Sequence, residues 1–346
     1  MDELTRIIHM RKMDHININL KEDVQSGVVA GFDNFAFDHN PFPELDFKEI
    51  NTTCLFLGKS LKIPILISSM TGGTEEALKI NINLATAAEA RGIALALGSG
   101  RSGLESGEAA RTYQLRQWAP SIPIYANLGA VQLNYGCGLD ECRRVVEMAG
   151  ADALILHFNT LQEALQPEGQ TDFSGLSKKI EFICTKLGVP VIAKEVGWGI
   201  NAAAARRLVN LGVSCIDVAG AGGTSWSEVE KYRNSSEELI RISSHFREWG
   251  IPTAEAVLDV CSALPKIPVI ASGGLRKGID FAKSLALGAS LGGMAGGFLK
   301  AAAHSAEAVE KVIDELSLEM RIAMFATGIK DIEALKKAPL KRRSLG

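Results

Sequence analysis

The sequence predicts an α/β chain: a single (β/α)8 TIM barrel with an N-terminal extension and an insertion between strands 6 and 7. Three observations predict it. From residue 64 onward a unit recurs, in which a short apolar run leads into a polar or glycine-rich loop and then an Ala/Leu-rich stretch of helical periodicity. Most of these runs lie roughly thirty residues apart, the length of a βαβ crossover, and they are continuously apolar, as strands covered by helices are. A Rossmann arrangement would need G-x-G-x-x-G after the first strand, where the chain has Gly72-Gly73 without that form.

Residues 1–63 read as an N-terminal extension and possible active-site lid, because periodicity is poor and turn residues recur. Residues 64–346 read as the barrel with a C-terminal packing helix. In the extension, Met10-Arg11-Lys12-Met13-Asp14-His15 brings two cations and an imidazole together, either as an exposed charged segment or as a lid over an anionic substrate. His39-Asn40-Pro41-Phe42-Pro43 is a rigid turn, and Leu55 to Lys59 a short hairpin suited to closing the barrel bottom.

The strands are expected at Pro64–Ser68, Ile93–Leu97, Ile124–Ala126, Ala153–Leu156, Val191–Ala193, Cys215–Val218, Val269–Ala271 and Ser290–Met294. Between the sixth and seventh, Ser225–Arg247 reads as a loop plus helix that would lie over the active-site face, with a further helix at Glu255–Leu264. Ala308–Met320 carries Val309, Val312, Leu316 and Met320 on one face and reads as the packing helix.

Composition narrows the class. With 346 residues, 47% apolar, 34 glycines and 11 prolines, the chain is an ordered globular protein. Its 37 Lys+Arg against 40 Asp+Glu give a formal charge of -3, and nothing in that balance calls for nucleic acid or an acidic membrane. The 6 cysteines, scattered without CxxC, fit a reducing compartment. There is no signal-peptide core and no apolar span of transmembrane length, so the expected location is cytoplasmic.

The polar residues that close the strands carry the chemistry. Asn127, His157, Lys194 and Thr224 end or follow four different strands, all converging on one mouth. Gly273-Gly274 and Gly292-Gly293 close the late strands and let backbone N–H groups approach an anion. Lys194 suits an electron-rich ring, Asn127 and Ser99 its edge, and the late glycines its phosphate. FMN fits this arrangement better than a dinucleotide does. The segment from His157 to Gln170 mixes an acid/base candidate, amides and acids. With Glu163 as one carboxylate it would hold Mg²⁺ only together with substrate phosphates.

These motifs stand in order along nearly the whole chain: Arg11-Lys12-Met13-Asp14-His15, His39-Asn40, Met70-Thr71-Gly72-Gly73, Gly98-Ser99, Ala126-Asn127-Leu128-Gly129, His157-x-Asn159-x-x-Gln162-Glu163, Gln166-Pro167-Glu168-Gly169, Lys194-Glu195-Val196-Gly197-x-Gly199, Ala221-Gly222-Gly223-Thr224 and Gly273-Gly274. In this the sequence resembles the type 2 isopentenyl-diphosphate isomerases, flavin-dependent enzymes interconverting isopentenyl and dimethylallyl diphosphates. The resemblance implies FMN, active when reduced, with NAD(P)H as the flavin reductant. It implies FMN contacts from Met70, Thr71, Ser99, Asn127, Lys194 and Thr224, with Gly273, Gly274, Met294 and Ala295 near the phosphate. Arg11, Lys12, Arg101, His157 and Asn159 would meet the diphosphate of a C5 isoprenoid substrate. Glu163 would hold Mg²⁺ and Gln162 would stand beside the alkene.

The implied chemistry moves a double bond without net redox change, with the flavin N5 region as acid/base and Lys194 as its electrostatic partner. Gln162, Glu163 and His157 complete the catalytic candidates. A homo-oligomer, tetramer or octamer, is also implied. The family's Gly-Ser-Gln-Arg stands here as Gly98-Ser99-Gly100-Arg101, so the expectation at position 100 is the loss of one polar substrate or flavin contact. Two readings compete. An FMN-dependent 2-hydroxy-acid dehydrogenase or oxidase needs a histidine base beside an arginine near a late strand, whereas His245 falls in a predicted helix and Arg276 has no histidine neighbour. A non-enzymatic flavin-binding barrel would bind the cofactor with an inert mouth.

Overall fold

A computed structural model describes residues 3–343, with side chains described from residue 10 onward. Eight parallel strands close into a barrel in sequential order. We label them β1 (Ile65–Ile67), β2 (Ala94–Ala96), β3 (Ile124–Gly129), β4 (Ala153–Phe158), β5 (Val191–Glu195), β6 (Cys215–Asp217), β7 (Val269–Ser272) and β8 (Leu291–Met294). β8 pairs with β1 through Gly292–Ile65, Gly293–Leu66 and Met294–Ile67, which completes the closure. The sequence places all eight to within one to three residues at either end, because their apolar runs are buried on both faces.

Strand parity sorts the core into two clusters. Leu66, Tyr125, Ile155, Ile192, Cys215, Ile270 and Leu291 point inward and fill the lower barrel, while the alternate residues pack against the helices. The expected hairpin forms from Cys54–Phe56 and Lys59–Leu61, and its Phe56 and Leu61 join the interior cluster as a plug. Its tight turn places Leu57 and Gly58 at φ of +45° and +79°. Two consecutive left-handed residues are the turn that follows the natural twist of a hairpin.

The helix Glu75–Arg91 begins at Thr74, whose hydroxyl accepts the amide of Ala77, and ends on the left-handed Gly92. The insertion between β6 and β7 contains two helices before the expected third, Trp226–Arg233 and Glu237–His245, where sequence periodicity separates only one. The terminal helix runs over Ala306–Phe325 and buries Val309, Leu316 and Met320.

The extension departs most from expectation. Residues Glu3–Lys21 form one helix, which the sequence does not announce. Lys12, His15, Ile16 and Asn19 lie at helical spacing on the face turned to the barrel mouth. That stripe is mostly polar, so the apolar periodicity that normally betrays a packed helix is missing. Among the described residues no helix is long and apolar enough to cross a membrane.

Candidate active site

One cavity of about 530 Å³ opens at the C-terminal ends of the strands. Above the apolar interior, the next inward-facing layer turns polar: Ser68 after β1, Asn127 on β3, His157 on β4, Lys194 on β5, Asp217 on β6 and Ser272 on β7. Parity alone puts these side chains in the floor layer of the mouth, where all but the fully buried Asp217 line the cavity itself. Asn127 Nδ2 donates to Ser69 Oγ at 2.9 Å, so its Oδ1 is the acceptor for His157 Nδ1–H at 2.7 Å. Burial first, then the charges of Lys194 and Arg11, push the His157 imidazole down to about 3. His157 is therefore neutral, with a lone pair on Nε2.

Lys194 is buried and donates to the Glu195 carbonyl at 2.7 Å. The Glu195 side chain, on the opposite parity, gathers the amides of Val196, Gly197, Trp198 and Gly199 on Oε2 at 2.7, 2.7, 2.6 and 3.2 Å. Burial nonetheless pushes its carboxyl up to about 7. It fixes the loop directly after Lys194.

The late-strand corner is built from close backbone approach. Gly273 and Gly274 have φ of +105° and +78°, and a Cβ on either would run into the backbone of Gly220 or Gly222. Met294, the last residue of β8, and Ala295 after it border the same corner.

The opposite side is cationic. Arg11, Lys12 and Arg101 line the cavity. Lys12 Nζ donates to Ser99 O at 3.1 Å, Ser102 Oγ at 2.7 Å and Tyr113 OH at 2.7 Å. Arg101 donates to Gln170 Oε1 at 3.0 Å, and Arg11 lies 3.8 Å from Glu168. Between floor and cations runs a wall of amides and acids. Glu163 Oε1 accepts from Asn159 Nδ2 at 2.9 Å, while its Oε2 accepts from Gln166 Nε2 at 2.5 Å and Gln170 N at 2.6 Å. Gln162 Nε2 donates to Glu230 Oε1 at 2.9 Å. Glu230 also meets His15 Nε2 at 3.1 Å and Arg233 Nη1 at 2.6 Å. Burial alone would raise the Glu230 carboxyl, but these bonds and the guanidinium hold it well below its usual range. Among the described residues no three His, Cys, Asp or Glu side chains form a metal cluster, so Glu163 stands as a single carboxylate.

The residues assigned from the sequence to flavin, substrate or metal line this one cavity: Arg11, Lys12, Met70, Thr71, Ser99, Arg101, Asn127, His157, Asn159, Gln162, Glu163, Lys194, Thr224, Gly273, Gly274, Met294 and Ala295. Gly292-Gly293, expected to offer its amides to an anion, does not: both residues are paired within β8, with Gly292 against the Phe281 ring, and Gly296 and Gly297 line the cavity on that side instead. Sequence reasoning passes over Asp217, Ser272, Ser102, Tyr113, Glu230 and Arg233. Asp217 was within reach, since it continues the inward parity of Cys215. Glu230 and Arg233 lie one helical turn apart in an insertion already expected over the mouth. Tyr113 and Ser102 carry no local signal. At position 100 the expectation changes: a Cβ there would start 2.8 Å from Val145 Cγ1, on the helix Leu139–Ala149, and Gly100 is not among the lining residues. A side chain at 100 would leave toward that helix, so the glycine removes no evident cavity contact.

Comparison with known proteins places this geometry. The family model for FMN-dependent dehydrogenase matches residues 145–342. Isopentenyl-diphosphate delta-isomerases are 49% identical over 327 residues in Nostoc sp., covering 94% of this chain and 93% of the relative. The enzyme of that name from Xanthobacter autotrophicus is 49% identical over 332 residues, covering 95% and 96%. The chain belongs to the isopentenyl-diphosphate delta-isomerase family. Within it, the flavin-barrel match marks the type 2, FMN-dependent branch, so the protein is an isomerase on an FMN-binding fold. Among solved structures, a mandelate oxidase variant superposes with a TM-score of 0.68 at 18% identity, covering 98% of each chain. A lactate oxidase from Pediococcus acidilactici superposes at 0.66 and 18%, covering 99% and 96%. At that identity the likeness is one of fold.

Proposed function

We propose that the cavity holds FMN and a C5 isoprenoid diphosphate together and interconverts isopentenyl and dimethylallyl diphosphate. The observation that carries this reading is the polarity of one enclosed mouth, which has a glycine corner and a lysine floor on one side and three cations on the other. The residues fit FMN. The volume is that of a cofactor site, Gly273 and Gly274 bring main chain to the cavity rim where a phosphate would sit, and Lys194 rises from the floor where an electron-rich ring would lie. Met70, Thr71, Ser99, Asn127 and Thr224 would surround the ring, with Gly273, Gly274, Met294 and Ala295 at its phosphate. When bound and reduced, FMN supplies an electron-rich face and a proton-carrying nitrogen.

Arg11, Lys12, Arg101 and Asn159 would anchor the diphosphate, aligning the distant alkene by binding energy remote from the reacting carbons. His157 joins them once a phosphate raises its proton affinity, since its free Nε2 is otherwise an acceptor. Mg²⁺ would take Glu163 as its protein ligand and fill its remaining positions with phosphate oxygens and water. Gln162, held by Glu230, would stand beside the alkene, and with Glu163 it is the candidate to relay a proton. NAD(P)H is the proposed source of reducing equivalents, the cytoplasm the proposed location, and a homotetramer or octamer the proposed assembly. Residues 1–63 act in this reading as an extension whose helix closes the mouth.

A hydroxy-acid oxidase would need a histidine base beside an arginine near a late strand. Arg276 lines the cavity, but His245 ends a helix with its side chain exposed, and the cavity histidines are His15 and His157. The test is an anaerobic assay of each C5 diphosphate with oxidised and reduced FMN, with and without Mg²⁺. The expected result is exchange in both directions only with reduced flavin and without stoichiometric NAD(P)H consumption. A 2-hydroxy-acid oxidation with no C5 exchange would reject the proposal.

A further inference from the structure

Asp217 is the one carboxylate in the polar floor layer, and it is completely buried. Its Oδ1 accepts from Ser272 Oγ at 2.6 Å and from the Ala219 amide at 3.3 Å, whereas Oδ2 has no hydrogen-bond partner among the described residues. Buried carboxylate oxygens are rarely left so without reason. In the β5–β6 ladder Asp217 is the register partner of Lys194, so both side chains enter the barrel side by side. They are not within ion-pair distance, because each is held by other bonds: Asp217 by Ser272 and Ala219, Lys194 by the Glu195 carbonyl.

Ala219, which lines the cavity, has φ of +39°, a left-handed conformation that an alanine seldom adopts. The Asp217 side chain bonds the amide of that very residue, so the carboxylate both supports the strained wall and faces the lysine.

We propose that Asp217 is a positioning residue that offsets part of the Lys194 charge and so sets the field the floor presents to a flavin ring lying above it. This rests on the FMN reading of the site and adds a residue to it. The titratable groups around Asp217 are Lys194 on β5, Cys215 and Tyr125 in the layer below, and His157 beyond Lys194. Burial pushes the Asp217 carboxyl up, while Lys194, the Ser272 hydroxyl and the Ala219 amide pull it back. The layer rests on a mostly apolar base, a low-dielectric setting in which neighbouring charges act strongly on one another.

A negative Asp217 disfavours an anionic reduced flavin that Lys194 favours. Asp217→Asn keeps an oxygen for Ser272 and Ala219 but removes the charge. In the reduced holoprotein, titrated anaerobically by absorbance, the flavin N1 ionisation should move to lower pH by about one unit, tenfold in the constant. Ser272→Ala, which removes a bond but no charge, should move it far less. A carboxylate with a merely structural role would give equal, small effects in both variants, and that result overturns the proposal. Should Asp217→Asn fail to fold, ¹³C-aspartate-labelled wild-type protein reports on the same group. A charged carboxylate whose resonance moves on flavin reduction supports the proposal, and a neutral acid or an unresponsive resonance overturns it. Wild-type protein that takes up no FMN would instead refute the cofactor reading, a separate outcome.

Discussion

The Lys12 ammonium donates to three oxygens, yet burial first and then the charge on Arg11 bring its pKa down to about 7. A diphosphate beside it would restore the charged form, so substrate capture above neutral pH must take up a proton. The half-saturating substrate concentration should therefore climb as pH rises through about 7, approaching tenfold per unit in the limit where only the protonated form binds. In Lys12→Arg, which stays charged throughout, the share of that slope due to Lys12 should vanish and leave only what His157 contributes, even if affinity falls because the guanidinium does not repeat the three bonds. Steady-state titrations between pH 6 and about 9 check both curves. None of this is legible from residues alone. Arg11-Lys12 declares two cations, but the oxygens that receive Lys12 come from Ser99, Ser102 and Tyr113, about ninety to a hundred residues away.

At the scale of the element, the N-terminal helix shows why a site can be read while the segment carrying it is missed. Arg11, Lys12 and His15 are recognisable as a charged cluster, but a helix is recognised from its buried apolar face, and here Ile16 is the buried hydrophobe among Lys12, His15 and Asn19. The barrel strands are the opposite case, since uninterrupted runs such as Ile65-Leu66-Ile67 announce themselves. Deleting residues 1–15 would take away Arg11, Lys12 and the His15 bond to Glu230 but leave the floor and glycine corner intact. We expect half-saturating substrate to rise about tenfold or more, each tenfold step being about 1.4 kcal/mol, while retained FMN changes little. Flavin content per protein and substrate saturation, measured on the same preparation, separate the two.

Taken whole, the molecule is a barrel with an apolar lower half and a polar upper layer. Its folding must therefore bury Asn127, Lys194 and Asp217 in return for little apolar area. A ligand that satisfies that layer should stabilise the fold. At a free FMN concentration about a hundred times its Kd, the gain is about 2.7 kcal/mol, seen as an upward shift of several degrees in thermal unfolding. An unchanged melting curve would count against FMN as the occupant. The architecture was readable because period and spacing are repeated eight times. The site was readable where single residues close strands, as Lys194 and Asn127 do, and hidden where partners meet only through closure of the barrel, as Asp217 with Ser272 and Gln162 with Glu230. The hairpin carrying Phe56 and Leu61 has one more effect. By stopping the lower end it leaves the chamber, among the described residues, open only toward the strand C-termini, so under the proposed function occupants would queue: a coenzyme would enter before the isoprenoid, which once seated at the threshold would bar its exchange.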